Sequence, residues 1–140
     1  MGKITVETCE IEGLKIITPT VFGDNRGYFM ETYNYNDFKE AGIDQVFVQD
    51  NQSASKKGVL RGLHFQKQFF IPKNFAHGFL VLSDYAEFCY KCTDFYHPND
   101  EGGLLWSDPD IGVEWPIPEG MELTLSDKDT KWGGIKEFKR

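Results

Sequence analysis

The stretch Gly58-Val59-Leu60-Arg61-Gly62-Leu63-His64-Phe65-Gln66 decides how the rest of the chain is interpreted. Its Val, Leu and Phe residues are typical of a β-strand, whereas Arg61 and His64 do not belong in a plain apolar core. Its two glycines allow another backbone or a ligand to approach closely. A histidine three residues after a guanidinium indicates a base beside an anion site. An edge strand with a solvated arginine and a hydrogen-bonded histidine would give the same pattern, so both interpretations stand at this point.

Short strand patterns separated by turns recur on both sides of this stretch. The one clear helix pattern covers residues 36–42, where Asn36 can cap the first turn and Gly42 can end the last. The predicted strands cover residues 4–8, 14–21, 28–33, 45–53, 69–72, 76–82 and 87–93, with shorter ones within 104–115 and 123–126. Many short strands with almost no helix predict an all-β antiparallel barrel or sandwich.

Length, composition and charge narrow the function classes. The 140 residues suit one domain. A net charge of −7 argues against a nucleic-acid partner, although a few gathered cations could still bind a small anion. No apolar run is long enough to cross a bilayer, and the N-terminal residues show no signal-peptide core. The sequence therefore predicts a cytoplasmic protein without a membrane partner.

The cysteines and histidines give little support to a metal site. Three cysteines, an odd number, fit reduced thiols, and the lone Cys89-x-x-Cys92 is interpreted as a pair of buried thiols. Jelly-roll metal proteins usually place two histidines one residue apart on a strand. Here Gln66 stands where the partner of His64 would be, so we predict no metal.

A metal-free histidine can instead act as a general base, since its usual pKa is about 6.5. His64 would then need a carboxylate to hold its tautomer, which the acidic segment 126–129 can supply. Tyr90 or Tyr96 could act as an acid on the opposite side, although either could equally be an aromatic residue of a Phe-rich core.

These segments together resemble the dTDP-4-dehydrorhamnose 3,5-epimerases, metal-free cupins of deoxysugar-nucleotide biosynthesis. The resemblance runs nearly end to end and in order. Its segments are Asp24-Asn25-Arg26-Gly27-Tyr28-Phe29-Met30-Glu31, Phe47-Val48-Gln49-Asp50-Asn51, residues 58–66, Phe69-Phe70-Ile71-Pro72, Phe75-Ala76-His77-Gly78-Phe79, Tyr90-Lys91-Cys92-Thr93, Asp108-Pro109-Asp110-Ile111-Gly112 and Leu125-Ser126-Asp127-Lys128-Asp129.

The resemblance implies an antiparallel jelly-roll barrel formed as one domain by residues 1–140, with no cofactor. It implies epimerisation of dTDP-4-dehydro-6-deoxy-D-glucose to dTDP-4-dehydro-L-rhamnose through proton abstraction α to the ketone. His64 would be the base, Asp129 would orient it, and Tyr90 would return a proton on the other face of the sugar.

The resemblance also implies the substrate-binding residues. His77, Arg26 and Arg61 would hold the diphosphate and sugar, and Tyr96 would stack on thymine. The other residues implied to line the nucleotide-sugar site are Glu31, Gln49, Asp50, Asn51, Glu101 and Lys128.

One departure concerns the join at residues 67–68. In the family a segment of about forty residues separates the central histidine stretch from the Ile-Pro turn, and it carries several strands and a lysine implied to stabilise the enolate. Its absence predicts a barrel that is incomplete on one side. An unpaired strand edge then favours a homodimer in which strands near the N-terminus cross between subunits.

Three functions stay open at this point. The first is the epimerase, with its 3-, 5- or 3,5-regiochemistry undecided. The second is a catalytically impaired or non-catalytic remnant that binds the nucleotide sugar. The third is a metal-dependent cupin such as a dioxygenase, which the missing His-x-His pair disfavours.

Overall fold

The computed structural model describes residues 4–60 and 68–138. Its elements are β1 (Ile4–Thr8), β2 (Lys15–Pro19), β3 (Val21–Asp24), β4 (Gly27–Met30), α1 (Tyr35–Glu40), β5 (Gln49–Lys56), β6 (Gln68–Phe70) and β7 (Tyr85–Cys92). Every strand pair among them is antiparallel. The described residues form two compact units, one of residues 4–47 and 68–75 and the other of residues 48–60 and 76–138.

The first unit contains the open sheet β1-β2-β6. Strand β2 pairs with β1 from Thr8↔Lys15 to Ile4↔Pro19 and with β6 through Lys15↔Phe70. The period-2 alternation of β2 buries Ile17. Ile17 packs in one hydrophobic cluster with Phe38 of α1 and with Ile43, which follows the helix in sequence.

Helix α1 begins one residue before the predicted range. Asn34, not Asn36, is the N-cap, since its backbone is extended and its Oδ1 accepts from the backbone N–H groups of Asn36 and Asp37 at 3.0 and 3.4 Å. Gly42 follows the helix with a φ of +76°, as predicted for a glycine that ends a helix.

Strands β3 and β4 form a separate hairpin in this unit. Its large apolar side chains face water: Val21, Phe22, Tyr28 and Phe29 are between 41% and 66% exposed. A two-stranded hairpin with exposed aromatic residues is marginal by itself, so this surface is suited to contact with another chain.

The second unit is organised by the eight-residue pairing of β5 with β7, from Gln49↔Cys92 to Lys56↔Tyr85. Single bridges join Val59 to Thr124 and Leu60 to Leu80. Leu60, Phe79, Leu80 and Val81 are its buried apolar residues.

Several predicted strands are wrong. Residues 76–82 contain only the single bridge at Leu80, and residues 123–126 only the one at Thr124. Residues 104–115 contain no strand, and residues 106–107 and 109–112 form turns around the buried Asp108, which accepts from nearby backbone N–H groups. Its carboxylate accepts from the N–H groups of Ile135 and Asp110 at 2.6 and 2.9 Å, and its carbonyl from Gly112 at 3.0 Å.

The predicted all-β fold with one short helix is confirmed. Residues 61–67, which include Arg61 and His64 of the opening stretch, lie outside the described residues. Across the described ranges, no helix reaches the length and apolarity that a membrane span requires. The prediction that 1–140 is a single domain stays a prediction.

Candidate active site

One face of the β5–β7 pair gathers several of the predicted site residues. Alternation places Gln49 and Asn51 of β5 on the same face as their cross-strand partners, Cys92 and Tyr90 respectively. Asp50 points to the other face, where its Oδ1 lies 2.6 Å from Nζ of Lys91. The sequence order Gln-Asp-Asn therefore brings two amides, and not the carboxylate, beside Tyr90.

The two amides are linked into one chain of hydrogen bonds. The backbone N–H of Tyr96 donates to Gln49 Oε1 at 3.1 Å. Gln49 Nε2 donates to Asn51 Oδ1 at 3.0 Å, and Asn51 Nδ2 donates to Cys92 Sγ at 3.5 Å. This chain ties the loop after β7 to the middle of β5.

Tyr90 is held by its aromatic neighbours. Its ring stacks on Phe88 with centroids 5.0 Å apart, and Phe88 in turn lies 4.6 Å from the buried Phe79. The Tyr90 side chain nevertheless stays 43% exposed. The Tyr90 ring is thus held in place by Phe88, and its exposed part is accessible to a ligand.

A second group of predicted residues meets beside the loop after β7. The Lys128 ammonium donates to a carboxylate oxygen of Glu101, and Tyr96 hydrogen-bonds the same carboxylate. The Lys128 contact and then the Tyr96 contact lower the pKa of Glu101, and Glu101 raises the pKa of Lys128. Since Tyr96 also contacts Gln49 through its backbone, five predicted residues form one connected set: Gln49, Asn51, Tyr96, Glu101 and Lys128.

Asp129 and His77 also belong to the second unit. Asp129 Oδ2 accepts from Ser126 Oγ at 2.8 Å, and its own N–H donates back to that hydroxyl at 3.2 Å. His77 lies on the surface, yet partial removal from water lowers its pKa. Partial burial therefore favours the neutral form of the His77 ring.

Arg26 and Glu31 belong to the first unit. Arg26 forms a salt bridge of 2.5 Å with Asp24 in the β3–β4 turn, and this contact lowers the pKa of the Asp24 carboxyl. Glu31 lies just beyond β4 and accepts from Asn34 Nδ2 at 3.4 Å through Oε1. Its Oε2 is buried and has no hydrogen-bond partner among the described residues. A buried acceptor without a donor is costly, so this oxygen needs a donor that the described residues do not supply.

Cys92 is the residue that the sequence interpretation missed. The prediction of two buried thiols is wrong, because Cys89 is exposed and Cys92 is only partly buried. Strand alternation was the available signal, because it places Cys92 beside Tyr90 and opposite Gln49. Among residues 4–60 and 68–138, no three His, Cys, Asp or Glu side chains come together as a metal site.

Comparison with known proteins gives the family. The model of the dTDP-4-dehydrorhamnose 3,5-epimerase family matches residues 8–69 and 66–137. A curated dTDP-4-dehydrorhamnose 3,5-epimerase from Methanothermobacter thermautotrophicus is 40% identical over 91% of this chain and 92% of its own length. The chain belongs to the dTDP-4-dehydrorhamnose 3,5-epimerase family.

Solved structures of such epimerases are similar throughout. The Legionella pneumophila dTDP-6-deoxy-D-glucose-3,5-epimerase, crystallised with dTDP-4-keto-L-rhamnose, is 35% identical with a TM-score of 0.89, covering 97% of this chain and 95% of its own. The Bacillus anthracis dTDP-4-dehydrorhamnose 3,5-epimerase, with TDP and PPi bound, is 28% identical with a TM-score of 0.84, covering 94% and 99%. The predicted family, cupin-like fold and epimerase class are confirmed.

Proposed function

We propose that this epimerase-family chain converts dTDP-4-dehydro-6-deoxy-D-glucose to dTDP-4-dehydro-L-rhamnose. His64 removes a proton from a carbon α to the C4 ketone, and the C–H electron pair moves into the ring while the ketone oxygen becomes an enolate. Tyr90 then donates a proton to the opposite face of that carbon, and the ketone re-forms. The product is inverted at both carbons α to the ketone, so the same removal and return of a proton is repeated at the second carbon. Asp129 orients His64, and the reaction needs no metal or other cofactor.

The connected set of predicted residues on one face of the second unit carries this proposal. Gln49 and Asn51 lie beside Tyr90, and Gln49 reaches Tyr96, Glu101 and Lys128 through the Tyr96 loop. We propose that Tyr96 stacks on thymine and that Lys128, Glu101 and the two amides bind the rest of the nucleotide sugar. Amide N–H groups and a lysine are suitable donors for phosphate and carbonyl oxygens.

We propose that Arg26, Arg61 and His77 bind the diphosphate and the sugar. The Arg26 guanidinium is exposed, with 86% of its side chain open to water, so a phosphate can reach it. We propose that Glu31 also binds the sugar, because a carboxylate oxygen can accept from a sugar hydroxyl.

A catalytically impaired, nucleotide-sugar-binding protein is the second candidate. The alignment with the Methanothermobacter enzyme runs over 170 residues, which exceeds the 140 of this chain. The two segments matched by the family model meet at residues 66–69. These observations support an internal shortening near 67–68, which would remove the lysine that the family resemblance assigns to the enolate.

We further propose a homodimer located in the cytoplasm. The exposed β3–β4 hairpin offers apolar surface for a second copy. The three free cysteines fit a reducing compartment.

Deuterium uptake tests the proposed chemistry. The parent protein, incubated with dTDP-4-dehydro-6-deoxy-D-glucose in heavy water, should introduce deuterium into the recovered sugar, as measured by mass spectrometry. His64→Asn should abolish uptake because an amide cannot accept the proton. Tyr90→Phe should leave the Phe88 stack intact, retain exchange and lower product formation by about 10²- to 10⁴-fold, the usual contribution of a general acid.

The same experiment separates the two candidates. No uptake by the parent with intact dTDP binding would support the non-catalytic protein. Equal uptake by the parent and His64→Asn would show that the base is a different residue.

A further inference from the structure

The hydrogen bonds from Tyr96 to Cys92 all run in one direction. Each carboxamide accepts through its oxygen from the Tyr96 side and donates through its nitrogen toward Cys92. A carboxamide can rotate by half a turn and exchange its donor and acceptor ends. The Tyr96 backbone N–H can only donate, so it sets the orientation of the Gln49 amide and, through Gln49 Nε2, that of Asn51. The chain ends at the Cys92 sulfur, which accepts from the Asn51 N–H in this orientation.

The selected orientation determines what this face presents to a ligand. A primary amide carries two N–H donors, and the chain uses one on Gln49 and one on Asn51. Each nitrogen therefore retains a second N–H, beside Tyr90 and on the face proposed to bind the nucleotide sugar. If Asn51 were reversed, a carbonyl oxygen would stand at this position and would repel a phosphate or a developing enolate.

Cys92 is well placed to hold this orientation. Its backbone carbonyl accepts from the Val48 N–H at 2.8 Å, which fixes the end of β7 against the start of β5. Its cross-strand partner is Gln49, so the thiol reaches Asn51 along the diagonal of the antiparallel pair. Cys89 lies opposite Gln52 on the other face, outside this chain of hydrogen bonds.

We propose that Cys92 is a positioning residue: its thiol accepts from the Asn51 amide and stabilises the arrangement in which Asn51 and Gln49 keep N–H donors for the nucleotide sugar. This inference rests on the proposed function, because it concerns the same ligand. Cys92 itself neither touches the reacting atoms nor undergoes any chemistry.

Three variants test whether the Cys92 thiol acts as a hydrogen-bond acceptor or only fills space. Cys92→Val fills the position of the thiol with a somewhat larger apolar side chain and removes the acceptor, whereas Cys92→Ser keeps an acceptor at the γ position. Cys89→Val is the matched control, since it makes the same change on the opposite face of the strand. Calorimetric titration with dTDP, at equal ionic strength, measures the affinity of each variant.

We expect Cys92→Val to weaken dTDP binding roughly three- to ten-fold, the effect of losing one hydrogen bond. Cys92→Ser and Cys89→Val should stay within about two-fold of the parent. With the full substrate, KM should rise in Cys92→Val while kcat changes little, because the lost interaction orients binding groups. The side-chain amide signal of Asn51, assigned by its disappearance in Asn51→Asp, should shift in Cys92→Val and return close to its parental position in Cys92→Ser.

Two results would overturn the inference alone. One is parental dTDP affinity in Cys92→Val. The other is an equal loss in Cys92→Ser and Cys92→Val, which would assign the effect to packing. A parent protein that binds no dTDP would refute the proposed function and the positioning role together, and the parent titration identifies that case directly.

Discussion

Asp50 and Lys91 form an ion pair on the face of the β5–β7 pair opposite to the one that carries Asn51 and Tyr90. Lys91 Nζ lies 2.6 Å from Asp50 Oδ1, and the two residues are cross-strand partners. A cross-strand pair of opposite charge stabilises an antiparallel ladder by a fraction of a kcal/mol to about 1 kcal/mol. The pair therefore gives Asp50 a role in strand pairing that is separate from the proposed ligand face.

The two faces give opposite expectations for neighbouring residues. Asp50→Asn should change dTDP affinity by less than about two-fold, because its side chain lies on the face opposite the proposed ligand. Asn51→Ala should weaken binding by about ten-fold, since it removes a ligand donor and interrupts the amide chain. Calorimetric titration of both variants with dTDP checks this. A larger loss of affinity in Asp50→Asn than in Asn51→Ala would show that Asp50 contacts the ligand.

The sequence predicts the two strands of this face because strand alternation is a strong local signal, whereas the roles of Gln49, Asn51 and Tyr90 are implied by the family resemblance. Residues 45–53 and 87–93 were predicted as strands, and β5 and β7 overlap both ranges. Given antiparallel pairing, Gln49, Asn51, Tyr90 and Cys92 had to share a face once the register was set. The register itself depends on contacts distant in sequence, which no local pattern contains.

Residues 104–115 show where local patterns fail. Their apolar residues suggest strands, but the buried Asp108 carboxylate accepts from backbone N–H groups that follow it in the sequence, those of Asp110 and Ile135. Asp108 contacts Ile135, 27 positions away. A contact between residues so far apart in sequence cannot be predicted from a local pattern. The same holds for the hydrogen bond between Tyr96 and Gln49, which lie 47 positions apart.

Gly58 is expected to tolerate no side chain. Its φ is +84°, and an added Cβ would lie 2.4 Å from the carbonyl oxygen of Glu122. Gly58→Ala should lower the free energy of unfolding by more than the 1–2 kcal/mol that a left-handed conformation costs an ordinary residue. Gly120→Ala is the control, because Gly120 has a φ of +77° with nothing within 4 Å of an added Cβ. Urea titration measures both, and equal losses would contradict the proposed clash.

His77 should make the protein less stable in mild acid. Its pKa is lowered in the folded state because partial burial disfavours the charged ring, while the unfolded chain keeps a value near 6.5. As the pH falls through 6.5, the unfolded state therefore binds more protons, and stability is lost until the pH passes the folded-state value. His77→Gln should reduce the drop in melting temperature between pH 7.5 and 5, whereas His97→Gln serves as the control histidine. An unchanged drop in His77→Gln would contradict this assignment.

The β3–β4 hairpin should carry the proposed dimer contact. Phe22 and Phe29 are directly paired across the hairpin and are 48% and 60% exposed. Phe22→Lys should convert a dimer into a monomer at micromolar concentration, because burying an unpaired ammonium in an apolar contact is unfavourable. Sedimentation velocity measures the change, with Tyr85→Lys as an exposed aromatic control in the other unit. A parent protein that is monomeric at micromolar concentration would contradict the proposed dimer.

Arg26 should contribute to ligand binding and little to folding. Its only partner among the described residues is Asp24, and both side chains lie in water at the hairpin turn, where ion pairs add little stability. Arg26→Ala should therefore leave the melting temperature almost unchanged but weaken dTDP binding and flatten its dependence on salt concentration, because a guanidinium binds phosphate through charge that salt screens. Arg61→Ala should also weaken dTDP binding and flatten its dependence on salt concentration. Lys57→Ala, which removes an exposed cation paired with Asp84, controls for the change in net charge. If Arg26→Ala and Lys57→Ala show the same affinity and the same salt dependence, Arg26 does not contact the diphosphate.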